Sequence, residues 1–307
     1  MNVNSFPSAL NIYTPALDRN VCQWAIGKGI LDPIRQKVWA DQKINWFAGY
    51  LFPNISSLKL EKVMKLFCCL FILDDLLDSL TPDQSIELLE NLLNGSQGNR
   101  SEIDKNSFPL SLVLSAVIEP ISKFGNTDWE LTFDNYWHQY LEAQKWEVCN
   151  RHSGVLPTFS EYKERRMDSS GAYLALHLLK YNWKKRSCAA NLIDYKVARI
   201  ICLSNDAISM DKERDAGDFH NELLLLQHYI GCSSKLLTAY VDSELKKLVS
   251  EVSELMGSKE YFFDKERMDD AETWIDDLQL LVGGCQYWSQ QDTLRYGASV
   301  NGCIKSN

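Results

Sequence analysis

Apolar residues recur three and four positions apart along almost the whole chain, and the alternating runs that mark strands are nearly absent. The pattern predicts successive helices and an all-α fold. Pro33, suited to a first helical turn, opens a predicted helix that runs to about Tyr50. The next reaches from Ser57 to Leu80, and a short amphipathic helix starts at Pro82 and stops at Asn94-Gly95. The polar run 95–107 (GSQGNRSEIDKNS) predicts a loop. Further helices are predicted from Pro109 toward Lys123 and, after a Gly125-Asn126 break, from Asp128 to about Asn150. Past a turn at 153–157 another helical stretch meets Ser169-Ser170-Gly171 and resumes as AYLALHLLKYNW. Glycine inside a helix costs about 1 kcal/mol relative to alanine, so a break is predicted at Gly171. Segments from Leu192 to Met210, Ser234 to Met256, Lys265 to Leu281 and Cys285 to Tyr296 complete the set. With no linker, low-complexity tract or internal repeat, the chain reads as one domain over 1–307, its ends at 1–15 and 298–307 flexible.

Composition narrows the function classes. An apolar share of 45%, with nine Trp, thirteen Tyr and twelve Phe, is ample for a large core. The net charge of −9 argues against an electrostatic nucleic-acid footprint and against attraction to anionic membrane surfaces. An acidic protein that captures an anion must do so locally, through metal ions and a few placed Arg and Lys. The nine cysteines have no paired spacing, and Cys68-Cys69 lie inside an apolar helix, which reads as reduced thiols in a cytoplasmic protein. No CxxC, HExxH or clustered His pattern supports zinc. The N-terminus lacks the charged and apolar regions of a signal peptide, and the longest apolar run, Leu66 to Leu73, is too short to span a bilayer. Formal glycosylation sequons at Asn54, Asn94 and Asn99 therefore carry little weight.

Residues 71–80, FILDDLLDSL, place three carboxylates directly after that apolar run. On a helix Asp74 and Asp78 lie about 40° apart on one face, with Asp75 beside them. Carboxylates this close repel unless a cation neutralises them, and Mg²⁺ takes such oxygen ligands while sharing its coordination with substrate phosphates. A solvated helix end is the plain alternative. A second set, NDAISMDKE at 205–213, spaces Asn205, Ser209 and Glu213 at i, i+4 and i+8, a stripe of hard oxygen donors about 80° wide. Alone it reads as a polar helix face; the two sets together are specific.

The combination resembles class I terpene cyclases of the single-domain microbial type. Their DDxxD metal motif is matched at Asp74, Asp75 and Asp78, and their (N/D)Dxx(S/T)xxxE motif at Asn205, Asp206, Ser209 and Glu213. Their C-terminal Arg-Tyr pair has its counterpart in WSQQDTLRY, at Arg295 and Tyr296. Their diphosphate-sensing arginine, ahead of a helix break, corresponds to Arg165 or Arg166, followed by Asp168, Ser169, Ser170 and Gly171. The similarity runs from about residue 60 to 296. The DxDD motif of protonation-initiated cyclases is missing, and DDLQL at 276–280 lacks the final aspartate of a second DDxxD, which weakens the related prenyl-elongating synthases.

The resemblance implies a single-domain helical bundle around a central apolar cavity, in which Mg²⁺-dependent ionisation of a linear prenyl diphosphate starts a carbocation cyclisation. Farnesyl diphosphate is the first expectation and geranylgeranyl diphosphate the competitor; elongation with isopentenyl diphosphate, or silent binding of an isoprenoid diphosphate, are the remaining alternatives. It implies three Mg²⁺ ions, replaceable by Mn²⁺, on Asp74, Asp75, Asp78, Asn205, Ser209 and Glu213. Arg165 or Arg166, Lys212, Arg295 and Tyr296 would contact the diphosphate. Phe71 and Trp288, and less strongly Phe67, are spaced to face the metal end; each could equally be plain core. The tryptophans of 129–146 and His177 read as core. A homodimer is compatible with the resemblance, and nothing in the sequence sets the oligomeric state.

Overall fold

Prolines and capping side chains set where several helices begin. The computed structural model describes residues 6–96, 108–183, 188–258 and 268–296. In chain order these form α1 (Thr14–Gly27), a 3-10 turn (Pro33–Arg35), α2 (Gln36–Asp41), α3 (Ile44–Leu51), α4 (Ser57–Ser79) and α5 (Pro82–Ser96). Next come α6 (Pro109–Ser122), α7 (Thr127–Ser153), α8 (Phe159–Ser169), α9 (Ala172–Leu178) and α10 (Cys188–Ala216). The last are α11 (Glu222–Ile230), α12 (Ser234–Gly257), α13 (Met268–Tyr287) and a π-helical turn (Trp288–Asp292). Prolines sit in the first turns of α1 and α6. Asn126, Thr158, Asn221 and Ser233 cap α7, α8, α11 and α12 by accepting a backbone N–H two or three residues on. No strand occurs among the described residues, and none of their helices is long and apolar enough to cross a membrane.

α4 is apolar on nearly every side from Leu66 to Leu73, and it packs among α1, α3 and α6. α7 packs on α5, α8 and α9, and α10 on α8, α9, α11, α12 and α13. The bundle encloses a chamber of about 510 Å³, walled by α3, α4, α7, α8, α10 and the α13 end.

Several elements depart from the sequence pattern. Residues 6–15, expected as part of a flexible end, are held: buried Asn11 donates its side-chain amide to Phe52 O and Ile55 O, both at 2.9 Å, and α1 starts at Thr14. The predicted helix from Pro33 to Tyr50 is broken at Lys43, which has φ 50°. The break is tertiary in origin, since Lys43 O accepts Trp288 Nε1–H at 2.8 Å and Gln42 O accepts Thr293 Oγ1–H at 2.6 Å. The predicted gap between Leu281 and Cys285 is instead continuous helix. Gly283 and Gly284 serve close packing there, and a Cβ on Gly284 would lie 2.2 Å from Tyr50 O. α10 runs past Met210 to Ala216 and ends at Gly217, with φ 71°. α5 passes through Asn94-Gly95 to Ser96. α1 and α11 have no counterpart in the predicted set; the Leu223–Leu226 run of α11 has no helical period to read. Residues 97–107 of the expected loop, and the expected flexible end at 298–307, lie outside the described residues.

Candidate active site

The acidic end of α4 forms one wall of the chamber mouth. Asp74 and Asp78 line it, as do Phe67 and Phe71 below them. Asp75 does not; its oxygens take Arg35 Nη2 at 2.9 Å and Arg295 Nη2 at 3.0 Å. Arg295 also donates to Asp74 Oδ2 at 2.8 Å, so one guanidinium bridges the adjacent carboxylates. Burial and the like charge of Asp74 raise the Asp78 carboxyl to about 6, against the pull of Arg151 and Lys212.

α10 supplies the opposite wall, with Asn205, Lys212 and Glu213 on the lining. Asn205 Oδ1 accepts Arg166 Nη2–H at 2.8 Å, and its Nδ2 donates to Tyr296 Oη at 3.0 Å. Ser209 is buried beneath, its hydroxyl donating to Asn205 O at 2.9 Å. Asp206 points away from the chamber lining and anchors the wall. Fully buried, it accepts Tyr162 Oη at 2.8 Å, Arg166 Nε at 3.0 Å and Glu222 N at 2.9 Å. Burial first, then Asp206, lift Glu213 to about 8, opposed by Arg166 and by the hydrogen bond from Asn221.

The two adjacent arginines both lie on α8, ahead of its break from α9, and have different surroundings. Arg166 lines the chamber, while Arg165 lies 6.0 Å over the Trp146 ring and is not on the lining. Burial works against the Arg166 charge, yet its acidic surroundings, Asp206 among them, hold its pKa well above the ordinary value. Gly171, at φ 70°, begins α9, and Ser169 and Ser170 reach the lining whereas Asp168 does not. Gln144 Nε2 donates to Ser169 O at 2.7 Å and fixes this corner.

Aromatic faces close the inner end. Phe47 sits at the centre, its ring 5.5 Å from Phe67, 5.5 Å from Phe71 and 4.7 Å from Trp288. Trp288 lies 6.2 Å from Tyr296, and the Arg295 guanidinium is 5.0 Å over Phe71. His177 is core, stacked 4.6 Å from Trp129 with Nε2 2.9 Å from Trp129 O. Trp129 and Trp137 are likewise buried away from the lining. Cys202 and Cys285 line the chamber as free thiols pushed up by burial, Cys202 to about 11.

No spacing signal marks Phe47, Arg151, Asp218 or Asn221. Arg151 stands 3.7 Å from Asp78 and 3.0 Å from Asp218, joining the end of α4 to the loop after α10. Burial opposes ionisation of Asp218, but His220 and Arg151 outweigh it and hold its carboxyl far below the usual range. Asn221 donates to Glu213 Oε2 at 2.7 Å. One signal could have separated the arginines: Arg166 is four residues from Tyr162 and shares its buried face.

Among the described residues no three His, Cys, Asp or Glu side chains converge on one point. The donors fit a hard divalent cation nonetheless. They are oxygens on two walls of one chamber, an arrangement for ions that complete their coordination with phosphate. Arginines now occupy the same oxygens, at Asp74 and Asn205.

The family model described as terpene synthase family 2, C-terminal metal binding, matches residues 65–251, more than half of the chain. The chain is 27% identical over 188 residues to (-)-delta-cadinene synthase of Streptomyces clavuligerus, covering 59% of this chain and 58% of that protein. It thus spans little over half the length of that relative. It is 23% identical over 303 residues to (+)-T-muurolol synthase of Roseiflexus castenholzii, covering 94% and 90%. The linalool/nerolidol synthase structure from Streptomyces clavuligerus superposes with TM-score 0.81 at 14% identity, over 92% of this chain and 98% of that one. The structure of a-eudesmol synthase does so with TM-score 0.80 at 17%, over 93% and 97%. These likenesses show a shared all-α fold, and the metal-binding family implies dependence on a divalent cation. The chain belongs to terpene synthase family 2, the C-terminal metal-binding type.

Proposed function

We propose that the chain ionises farnesyl diphosphate and cyclises the resulting cation to a sesquiterpene, releasing diphosphate. One observation carries this reading: oxygen donors on α4 and α10, with Arg166, Arg295 and Tyr296, ring the mouth of a single aromatic chamber. Asp74 and Asp78 on one side, and Asn205, Ser209 and Glu213 on the other, would hold Mg²⁺. Three ions, replaceable by Mn²⁺, belong to this reading. When bound they neutralise the charge that develops on the departing diphosphate.

The remaining work falls to the chain. Arg166 and Arg295 stay protonated and offer planar forks to phosphate oxygens. Burial raises the Tyr296 phenol to about 12, so it remains a neutral O–H donor. Below them Phe47, Phe67, Phe71 and Trp288 exclude water and turn ring faces toward the cation, each contributing roughly 0.5–2 kcal/mol. The departed diphosphate takes the final proton, so this reading needs no protein base. The fifteen-carbon substrate is supported by the Roseiflexus relative, whose name states that it cyclises farnesyl diphosphate. A cytoplasmic setting is supported by the free, buried thiols.

The test is gas chromatography with mass detection after incubating ten-, fifteen- and twenty-carbon diphosphates with purified protein and Mg²⁺. A cyclic fifteen-carbon product that EDTA abolishes is the expected result. Cyclisation of the twenty-carbon substrate alone would reassign the chain as a diterpene cyclase. A longer prenyl diphosphate formed when isopentenyl diphosphate is added would make it an elongating synthase, and no product from any substrate would overturn the proposal.

A further inference from the structure

Asn221 lies outside every oxygen donor assigned above, in the five-residue loop between α10 and α11, yet it is completely buried. Its amide oxygen accepts Leu223 N–H at 2.9 Å and Leu224 N–H at 3.3 Å, capping α11. Its amide nitrogen donates to Asp206 O and to Glu213 Oε2, both at 2.7 Å. All four hydrogen-bonding places of the side chain are therefore filled. It bridges two turns of α10, from the residue beside Asn205 to the carboxylate at the end of the donor stripe.

The cap alone accounts for only half of these contacts. A serine or aspartate would cap α11 equally well, because only an oxygen acceptor is required. The amide nitrogen serves α10 instead. By holding Oε2, it removes rotational freedom from a carboxylate that lines the chamber. The loop itself is immobilised next door. Glu222, fully buried, binds Arg199 at 2.8 Å and gives its backbone N–H to Asp206 Oδ2 at 2.9 Å.

We infer that Asn221 is a positioning residue for the second metal set, orienting Glu213 for a divalent cation and acting only through it. The inference rests on the proposed function for the identity of the cation. Partners of this kind, one hydrogen bond behind a metal ligand, typically change metal affinity 10–100-fold.

The experiment uses Asn221→Ser, which keeps a capping acceptor but is too short to reach Glu213. Calorimetric titration with Mg²⁺ and inorganic diphosphate, and Mg²⁺ half-saturation of turnover, are measured together. The expected result is affinity weakened by about 10-fold or more, with far-ultraviolet circular dichroism unchanged. The same substitution in a Glu213→Ala background should produce no further loss, since the side chain through which it acts is gone. If Asn221→Ser fails to fold, Asn221→Asp replaces it; that variant keeps the cap and puts an acceptor where the donor stood, so the loss should be larger. Affinity within about threefold of wild type for the folded variant, or an undiminished loss in the Glu213→Ala background, overturns the inference. Wild-type protein that binds no Mg²⁺–diphosphate would count against the proposed function instead.

Discussion

Arg165 and Arg166 are neighbours in sequence with opposite surroundings, one over an outer tryptophan and one at the chamber mouth. Arg166→Ala should lower kcat/KM by at least about 100-fold, the scale of a lost electrostatic contact to the leaving group, and Arg165→Ala by no more than about threefold. Steady-state kinetics decides, and equal losses would break the assignment. Asp74→Asn and Glu213→Gln should each cut turnover strongly with the fold intact; wild-type rates from either would remove that residue from the ligand set. Trp288 calls for a gentler change than alanine. It is buried with Nε1 bonded to Lys43 O, so truncation to alanine would cost about 3–5 kcal/mol in packing alone. Trp288→Phe should keep ionisation and alter the product mixture, and an unchanged gas-chromatographic profile would exclude it from the cation's surroundings. The oxygen donors were legible because helical spacing puts them on one face whatever the fold. Phe47 was not, since its place beside Phe71 and Trp288 depends on how α3 meets α13.

At the scale of elements, the helices most legible in sequence were those whose ends carry local chemistry. α7 is bounded by Asn126 and Gly154, and its predicted span missed by a few residues. The errors fell where distant contacts decide. Lys43 interrupts a periodic segment because residues 288–293 bind its turn, and the paired glycines of α13 continue a helix because another backbone needs their space. The α8–α9 break is a local case. A Cβ at Gly171 would meet only ordinary contacts, the nearest 3.8 Å away, so the constraint is φ 70° rather than room. Gly171→Ala should therefore cost about 1–2 kcal/mol, the left-handed penalty of an L-residue. Urea unfolding should show a lower midpoint at unchanged slope. A midpoint equal to wild type would mean that the break relaxes without cost.

For the molecule as a whole, the raised carboxyls couple stability to pH. Glu213, at about 8, and Asp78, at about 6, keep their protons in the folded chain at pH values where the unfolded chain has released them. Their contribution is full below the ordinary carboxylate range and is lost as pH rises through about 6 for Asp78 and about 8 for Glu213. Asp78 is half exposed, so solvent screening makes its share the smaller. Cations bind the deprotonated form, and the rise in Tm given by Mg²⁺ with diphosphate should grow from about pH 6 to about pH 8.5. Differential scanning fluorimetry across that interval reads it directly, and a pH-independent increment would contradict the linkage. The turn that carries Trp288 and Asp292 has a separate consequence. It is pinned to residues 42–50 by Trp288 Nε1, Thr293 Oγ1, the Lys43–Asp292 ion pair and the Tyr50–Asp292 hydrogen bond, across more than 240 positions of chain. During synthesis on the ribosome, then, the aromatic chamber stays open on its Trp288 side until the C-terminal turn has emerged, and no shorter nascent chain can close it.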